Sequence, residues 1–289
     1  MVLFKVHKKR SGKRGISTAI SSVIMTGAIV AILSVTLIFA NNLLWSRVAE
    51  GDFDSSKQLM HTAGLQIDDV AWTVGRTETI RYASQYGEVV LKPSILNYTV
   101  SVGDGVNVYN FSTLTGALLF NLPTSRHSIT NGYWENIFPS QNESLTLKGT
   151  SAPVVRVFAV ERMPMSDGSY IRVVVAPSVR VLYSSINSSE NTYYIRMYLP
   201  VLTAGEAPRL SQSITLTGES FAANTISNVE SISVTVGFPR GASPENFDSD
   251  FFNFPYDDED ISLPPPGTYD NVVLELYLSE VSVDFGLNY

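Results

Sequence analysis

The chain of 289 residues contains no cysteine. This absence excludes a disulfide framework, a cysteine-ligated metal and a thiol nucleophile. Histidine is also scarce, because His7 lies among the first residues and only His61 and His127 remain. Two histidines without cysteine are a poor basis for a catalytic zinc site, and no glycine-rich phosphate loop opens a helix after a strand. The sequence therefore predicts a protein that is not an enzyme.

Basic residues are missing from the C-terminal part of the chain, where no lysine or arginine follows Arg240. Residues 1–14 hold six of the twenty basic residues and no acid. The remainder has fourteen basic against twenty-seven acidic residues, which is a net charge of −13. A surface of that charge repels phosphate backbones, so we expect no nucleic-acid partner.

Charge is absent altogether from residues 15–46. As a helix, this segment would extend about 48 Å at about 1.5 Å per residue, whereas a bilayer core is about 30 Å thick. The apolar region of a secretory signal peptide has only about 7–15 residues. The segment therefore predicts a membrane-spanning helix with the basic residues inside and the C-terminal bulk outside. It fits either an uncleaved anchor or a leader that is cut just before the apolar run.

The junction between the basic and apolar segments is Lys13-Arg14-Gly15, followed by Ile16 and Ser17. It resembles the class III leader of archaeal type IV pilins, in which a basic pair and a small residue precede the cut. The resemblance implies that a membrane prepilin peptidase cleaves between Gly15 and Ile16, with Arg14, Gly15 and Ile16 as the processing residues. Bacterial pilins have a glutamate at the fifth mature position, which is Ile20 here, and archaeal pilins generally lack it.

The resemblance covers the leader and the apolar helix, and it implies a structural subunit of an archaeal type IV pilus-like surface filament. Such a subunit is a major or minor pilin that serves adhesion; it is first a single-pass protein of the cell membrane and then part of a cell-surface filament. Residues 16–46 would contact other pilin subunits. Small side chains permit close helix approach, and those of this segment include Ser17, Ala19, Ser21, Ser22, Gly27, Ala28 and Ala31.

Two other functions stay open. The first is an uncleaved single-pass surface protein with a ligand-binding β-sandwich ectodomain. The second is an exported hydrolase, which requires His127 to meet a serine and a carboxylate in the fold.

The sequence predicts that residues 47–87 form a linker and an amphipathic helix. Charge and Gly51 are expected to interrupt the apolar helix over residues 47–54, and Asp54 or Ser55 is expected to cap a new one. An apolar stripe then follows at spacings of three and four residues: Met60, Ala63, Ile67, Val70 and Val74. We expect the stripe to dock on the following domain in preference to a neighbouring subunit.

Residues 88–289 alternate with period two and are rich in β-branched side chains, which is typical of strands. The candidate strands are residues 88–92, 96–102, 106–111, 117–121, 144–148, 154–162, 171–176, 179–184, 193–199, 213–217, 231–238 and 272–285. They predict an extracellular, antiparallel β-sandwich-like domain, so the chain is mainly β with a long N-terminal hydrophobic α-helix. The apolar phase shifts near Ser279 and Glu280, which predicts a β-bulge or a bend between sheets.

Four Asn-X-Ser/Thr sequons lie in this predicted outer domain, at Asn97, Asn110, Asn142 and Asn187. They make the protein a candidate glycoprotein. Asn142 and Asn187 fall in polar loops, whereas Asn97 and Asn110 fall in or beside strands, where steric occlusion is a concern.

Residues 245–260 hold seven acids interleaved with aromatic side chains. Clustered carboxylates suit calcium, and the candidate ligands are Asp257, Asp258, Glu259 and Asp260. The spacing does not match an EF-hand, and a solvated acidic loop anchored by its aromatic residues is the favoured interpretation. No other cofactor is predicted.

Overall fold

The computed structural model describes residues 18–85, 87–124, 132–140, 146–161, 170–186, 191–205, 212–239 and 259–286. The chain divides into two compact units, Met1–Val48 and Ala49–Tyr289, and each is described by itself. The helix α1 spans Thr18–Ala71 and contributes residues to both units.

No break occurs at residues 47–54, where the sequence predicted one, because α1 is helical throughout this segment. Asp54 and Ser55 therefore do not cap a second helix. Arginine and glutamate are good helix formers, and a glycine inside a helix costs only about 1 kcal/mol relative to alanine. The burial of Ala49, Phe53 and Ser56 against the β unit outweighs that cost at Gly51.

Thirteen described strands form the rest of the structure. They are β1 Thr77–Arg81, β2 Glu88–Gly103, β3 Val108–Pro123, β4 Trp134–Phe138, β5 Thr146–Lys148, β6 Val155–Glu161, β7 Tyr170–Pro177, β8 Val179–Ile186, β9 Thr192–Ala204, β10 Ser213–Ile226, β11 Ser231–Gly237, β12 Glu259–Asp260 and β13 Asn271–Phe285. Sheet A has the order β1-β10-β13-β9-β8-β5, and sheet B has the order β12-β11-β2-β3-β7-β6-β4. The predicted fold class, a long apolar helix with a sandwich-like β domain, is confirmed.

The strand pairs described are antiparallel except β9 with β13 and β5 with β8, which are parallel. The chain leaves sheet A after β10, forms β11 and β12 in sheet B, and then returns as β13. This excursion lets β13 run parallel to β9. The expectation of an antiparallel sandwich therefore holds for most of the fold and misses these two pairs.

Several strand boundaries differ from the sequence prediction. β2 joins two predicted strands, because a register shift between Lys92 and Leu96 carries the chain past Pro93. β1 lies within residues 47–87, for which the sequence predicted a linker and an amphipathic helix, but it pairs with β10. The compact unit that contains the strands spans Ala49–Tyr289.

The first of two buried cores is the inter-sheet core. It includes Tyr98 of β2, Leu119 of β3, Val174 of β7, Met197 of β9 and Leu276 of β13. The Tyr98 hydroxyl donates a hydrogen bond of 2.5 Å to the carbonyl of Pro177. A buried phenol needs such a partner, because an unsatisfied buried polar group costs about 1–3 kcal/mol.

The second core, here called the helix core, gathers the last turns of α1 with both sheets. Met60, Ala63, Ile67 and Val70 are fully buried there, whereas Val74 lies beyond the helix end with 62% of its surface exposed. The strand side chains in this core come from sheets A and B: Phe120, Val173, Val175, Leu216 and Val283. The apolar stripe therefore contacts the β domain of its own chain.

The phase shift in β13 has a different cause from the predicted bulge. β13 keeps an unbroken register with β9 from Asn271 to Val283. Leu274 and Leu276 belong to the inter-sheet core, whereas Val281 and Val283 belong to the helix core. Since alternate side chains point to opposite faces, the apolar phase changes because the buried face changes. A register shift does occur beside the predicted position, because Gly218 pairs with Val281 and Ser220 with Glu280, but the extra residue lies on β10 and not on β13.

Gly218 and Ser279 bind the end of α1 to sheet A. The Gly75 amide donates to the Gly218 carbonyl at 2.7 Å, and the Gly218 amide donates to the Arg76 carbonyl at 3.0 Å. The Ser279 hydroxyl donates to the Ala71 carbonyl. A Cβ atom on Gly218 would lie 2.7 Å from the Thr73 carbonyl oxygen and still closer to that of Val70. Only glycine permits this close approach of backbones.

We expect Gly218→Ala to destabilise the full-length protein by about 1–3 kcal/mol, the usual cost of overpacking. The midpoint of chemical unfolding of the detergent-solubilised chain, followed by near-ultraviolet circular dichroism, measures this. Gly51→Ala is the control: nothing lies within 4 Å of a Cβ at Gly51, so alanine should stabilise the helix by about 0.5–1 kcal/mol. Equal midpoints for Gly218→Ala and the wild type would contradict this packing.

Candidate functional site

The N-terminal unit presents an exposed apolar surface. Every side chain described from residue 20 to residue 47 is exposed, and the large apolar ones are Ile20, Val23, Ile24, Met25, Ile29, Val30, Ile32, Leu33, Val35, Leu37, Ile38, Phe39, Leu43, Leu44 and Trp45. By length and composition, α1 is able to cross a membrane. A soluble protein rarely exposes so large a contiguous apolar surface, so this surface needs lipid or protein around it.

Hydroxyl groups on this surface are satisfied within the helix itself. Thr26, Ser34 and Thr36 each donate to the carbonyl four residues earlier, at 2.8–2.9 Å. Such bonds remove the cost of placing a hydroxyl in hydrocarbon. These hydroxyl-bearing residues are therefore compatible with an apolar environment around α1.

Gly27 and Ala31 are four residues apart on α1, and no atom lies within 4 Å of a Cβ placed on Gly27. Small residues at this spacing permit two helix backbones to approach closely. The candidate site for self-association is therefore the face of α1 around these two residues. The predicted processing residues, Arg14, Gly15 and Ile16, lie outside the described residues.

A charged network fixes the last turns of α1 to sheet A. Asp68 accepts hydrogen bonds from Trp72 Nε1 at 2.8 Å and from Arg180 Nη1 at 3.0 Å. The Arg180 guanidinium lies over the Tyr198 ring, 4.9 Å from its centroid. Removing one member of such a pair leaves the other partly buried and uncompensated, which costs far more than the pair contributes. The network therefore specifies the register of α1 on β8 and β9.

Sequence reasoning missed an aromatic row that extends this network across sheet A. The rings of Tyr198 and Tyr277 stack at 4.8 Å, those of Tyr277 and Phe221 stack at 5.6 Å, and Trp72 meets Tyr198 edge-on. The ring faces are covered by one another, so the row stabilises cross-strand pairing. The alternating pattern of each strand predicts which face these residues occupy. The order of the strands in the sheet, which the pattern does not give, brings the rings together.

A second contact holds α1 to β4 through Lys57. Its ammonium lies 2.7 Å from a Glu135 carboxylate oxygen and 4.5 Å from the centroid of the Phe53 ring, and the Tyr133 hydroxyl donates to the same carboxylate. Burial alone would raise the pKa of Glu135. The hydrogen bonds from Lys57 and Tyr133 and the Lys57 charge outweigh this and lower the pKa below its usual value.

The structure describes two of the four sequons. Asn97 lies on β2, and its side-chain oxygen accepts a hydrogen bond of 2.9 Å from Ser112. Asn110 lies on β3 with an exposed side chain. Asn142 and Asn187 lie outside the described residues. The two strand sequons therefore differ in their surroundings, which the sequence did not reveal.

The acidic candidates for calcium are only partly described. Asp257 and Asp258 lie outside the described residues, and Asp260 is exposed on β12. Glu259 accepts hydrogen bonds from the Thr146 amide at 2.9 Å and from the Thr146 hydroxyl at 2.6 Å, so it joins β12 to β5. Within the described ranges, no group of three acidic or histidine side chains is placed to hold a metal ion.

The described residues of the β unit line surface hollows at two places, among others. One, of about 350 Å³, lies beside α1 and is lined by Asp52, Leu59 and Tyr82 among others. The other, of about 750 Å³, lies beside Pro264, Pro265 and Tyr269. His61 borders neither hollow and packs its ring 4.7 Å from that of Phe138, and His127 lies outside the described residues.

No protein-family model, curated protein or solved structure matches this chain.

The contact between Lys57 and Glu135 makes the stability pH-dependent. A carboxyl whose pKa is lowered on folding stabilises the folded state above its unfolded pKa, and this contribution is lost as the pH falls through the folded value. We expect Glu135→Gln to lower the unfolding midpoint at pH 7. The difference from the wild type should shrink below pH 4.5, the reference value for glutamate.

Asp54→Asn is the matched control for this experiment. Asp54 lies 3.8 Å from the same Lys57 ammonium but is largely exposed, and surface ion pairs contribute only about 0–1 kcal/mol. A difference between Glu135→Gln and the wild type that stays constant from pH 7 to pH 3 would rule out the charge of Glu135 as its source.

Proposed function

We infer that this protein is a structural subunit of a type IV pilus-like surface filament that serves adhesion. In this proposal, residues 1–15 are removed at the membrane, the apolar part of α1 packs against other subunits, and the β unit faces the medium. The observation that carries it is the fully exposed apolar surface of α1 on a chain whose β unit already buries its own cores.

The length of the apolar surface supports assembly. The uncharged residues 18–46 of α1 extend about 43 Å at about 1.5 Å per residue, which exceeds the bilayer core of about 30 Å. Membrane spanning leaves about two turns outside the hydrocarbon, whereas packing against other subunits uses the whole length. Asn41 and Asn42 interrupt this stretch near its C-terminal end, as expected where the helix leaves the hydrocarbon.

The packing of the C-terminal part of α1 in the β unit also supports a mechanical role. Met60, Ile67 and Val70 are buried in the helix core, and the helix end is hydrogen-bonded to β10 and β13. A force on residues 49–71 of α1 is therefore transmitted to the sheets through packed side chains. A filament subunit that displays an adhesive domain requires such a joint.

An uncleaved membrane anchor with a ligand-binding ectodomain is the second candidate function. It is favoured by α1, a helix that is able to cross a membrane, since anchoring needs no other subunit. The two functions differ in the mature N-terminus and in the response to changes on the helix surface.

The mature N-terminus is the direct test. We expect mass spectrometry of protein sheared from the cell surface to find chains that begin at Ile16. A Gly15→Glu variant should keep residues 1–15 and stay in the membrane, because the small residue at the cut is lost. Wild-type chains that retain residues 1–15 and never leave the membrane would refute the filament and favour the anchor.

Assembly through the small face of α1 predicts that Gly27→Ile abolishes sheared filaments while membrane insertion continues. The added side chain holds neighbouring helices apart, but it is fully compatible with lipid. Filament recovery by shearing and membrane content by immunoblotting measure the two properties. Val35→Ile, an apolar change at another exposed position of α1, is the matched control and should assemble normally. Filaments from Gly27→Ile at wild-type yield would exclude this face from the assembly contact.

A further inference from the structure

One segment of β3 forms an open strand edge. β3 pairs with β2 from Val108 onward, but it pairs with β7 only from Leu118 to Pro123. In the described parts of the chain, no strand borders residues 108–114 on the side away from β2. We call these seven residues the open β3 edge.

The open β3 edge lacks the usual protection against pairing with another chain. Proteins blunt such edges with charged residues, proline or bulges, or cover them. Residues 108–114 include no charge and no proline. Val108 and Leu114 are exposed on this edge, and Val106 at the adjacent hairpin tip is 89% exposed. The edge therefore needs a cover that the described residues do not supply.

Asn110 lies in the middle of this edge, in the sequon Asn110-Phe111-Ser112. Period-two alternation places Val108, Asn110, Ser112 and Leu114 on the same outward face, and all four are exposed. Phe111, between them, packs towards the inter-sheet core. The acceptor amide thus points to solvent while the strand is held in place by its neighbour.

The sequon at Asn97 shares this outward face, because Asn97 lies opposite Leu114, but it differs in the pairing of its strand. Asn97 lies on β2, which pairs with β3 on one side and with β11 on the other. Its side-chain oxygen accepts the Ser112 hydrogen bond, and the next residue, Tyr98, is fully buried. A glycan on Asn97 would therefore project from a strand that has a neighbouring strand on each side.

We propose that Asn110 carries an N-linked glycan, that this glycan covers the open β3 edge, and that Asn97 stays unmodified. The proposal rests on the outside location of the β unit in the proposed function. The sugar comes from a lipid-linked glycosyl phosphate. Asn110 Nδ2 bonds to the anomeric carbon, the bond from that carbon to the phosphate oxygen breaks, the phosphate leaves with the electron pair, and the amide releases one proton.

The glycan blocks pairing of this edge with another chain, as a charged side chain does on other edge strands. Its hydrated bulk lies on the outward face beside Val108 and Leu114, and it prevents a second strand from reaching the free backbone groups. Loss of the glycan therefore leaves the fold intact but exposes the edge, so unmodified protein self-associates.

The test uses the full chain in cells that N-glycosylate exported proteins. Mass spectrometry of the peptides that contain Asn97 and Asn110 measures the occupancy of each. We expect a glycan on Asn110, its near-complete loss in Asn110→Gln and Ser112→Ala, and its retention in Ser112→Thr, which keeps the sequon. Size-exclusion chromatography in detergent should show larger species for Asn110→Gln than for Asn97→Gln.

A topology probe separates the two proposals. Because the chain has no cysteine, Val106→Cys introduces a single thiol at the hairpin tip, and a membrane-impermeant maleimide labels it on intact cells only if the tip is outside. Labelling together with an unmodified Asn110 peptide, or a glycan on Asn97, overturns the glycan proposal and leaves the proposed function standing. Labelling only after lysis overturns both proposals.

Discussion

The burial of the last turns of α1 against both sheets is the interaction on which the rest of the structure depends. Val173 and Val175 of β7 and Phe120 of β3 point away from the inter-sheet core and are covered in the helix core. Without the helix these side chains would face water, at a cost of roughly 1.5–3 kcal/mol for each large apolar side chain. The β unit is therefore incomplete without the part of α1 that begins at Ala49. The helix that is able to cross a membrane is thus also part of the β fold.

This dependence explains which parts of the fold were predictable from the sequence. The stripe of Met60, Ala63, Ile67 and Val70 follows helical spacing, so its buried face could be predicted from local pattern alone. The continuity of α1 through Gly51 could not, because it depends on the burial of Phe53 in a core whose other members lie on strands far along the chain. The phase change in β13 was visible in the sequence, but its cause was not. A bulge and a change of buried face give the same pattern of apolar residues.

The candidate sites divide in the same way. The apolar helix and the sequons are local signals, and the sequence contains them in full. In the glycan proposal, the occupancy of a sequon depends on the strands beside it. Asn97 and Asn110 lie on the two strands of one hairpin. β2 has a neighbour on each side at Asn97, whereas β3 has a described neighbour on one side only at Asn110. Likewise, the contacts of Asp68 with Arg180 and of Lys57 with Glu135 join residues more than seventy positions apart. Pairing between residues so far apart cannot be predicted from the spacing of residues along the sequence.

The apolar part of α1 meets a physical constraint that the β unit does not. In the proposed function the same surface faces lipid first and protein afterwards, so it must be stable in both without being specialised for either. Self-satisfied hydroxyls at Thr26, Ser34 and Thr36 suit both environments, because they need no partner from outside the helix. Small residues such as Gly27 lose little in lipid and gain close packing between helices. Since lipid tails are as apolar as leucine, the transfer is driven by packing and not by the hydrophobic effect, and the shape of this surface decides whether the subunit assembles.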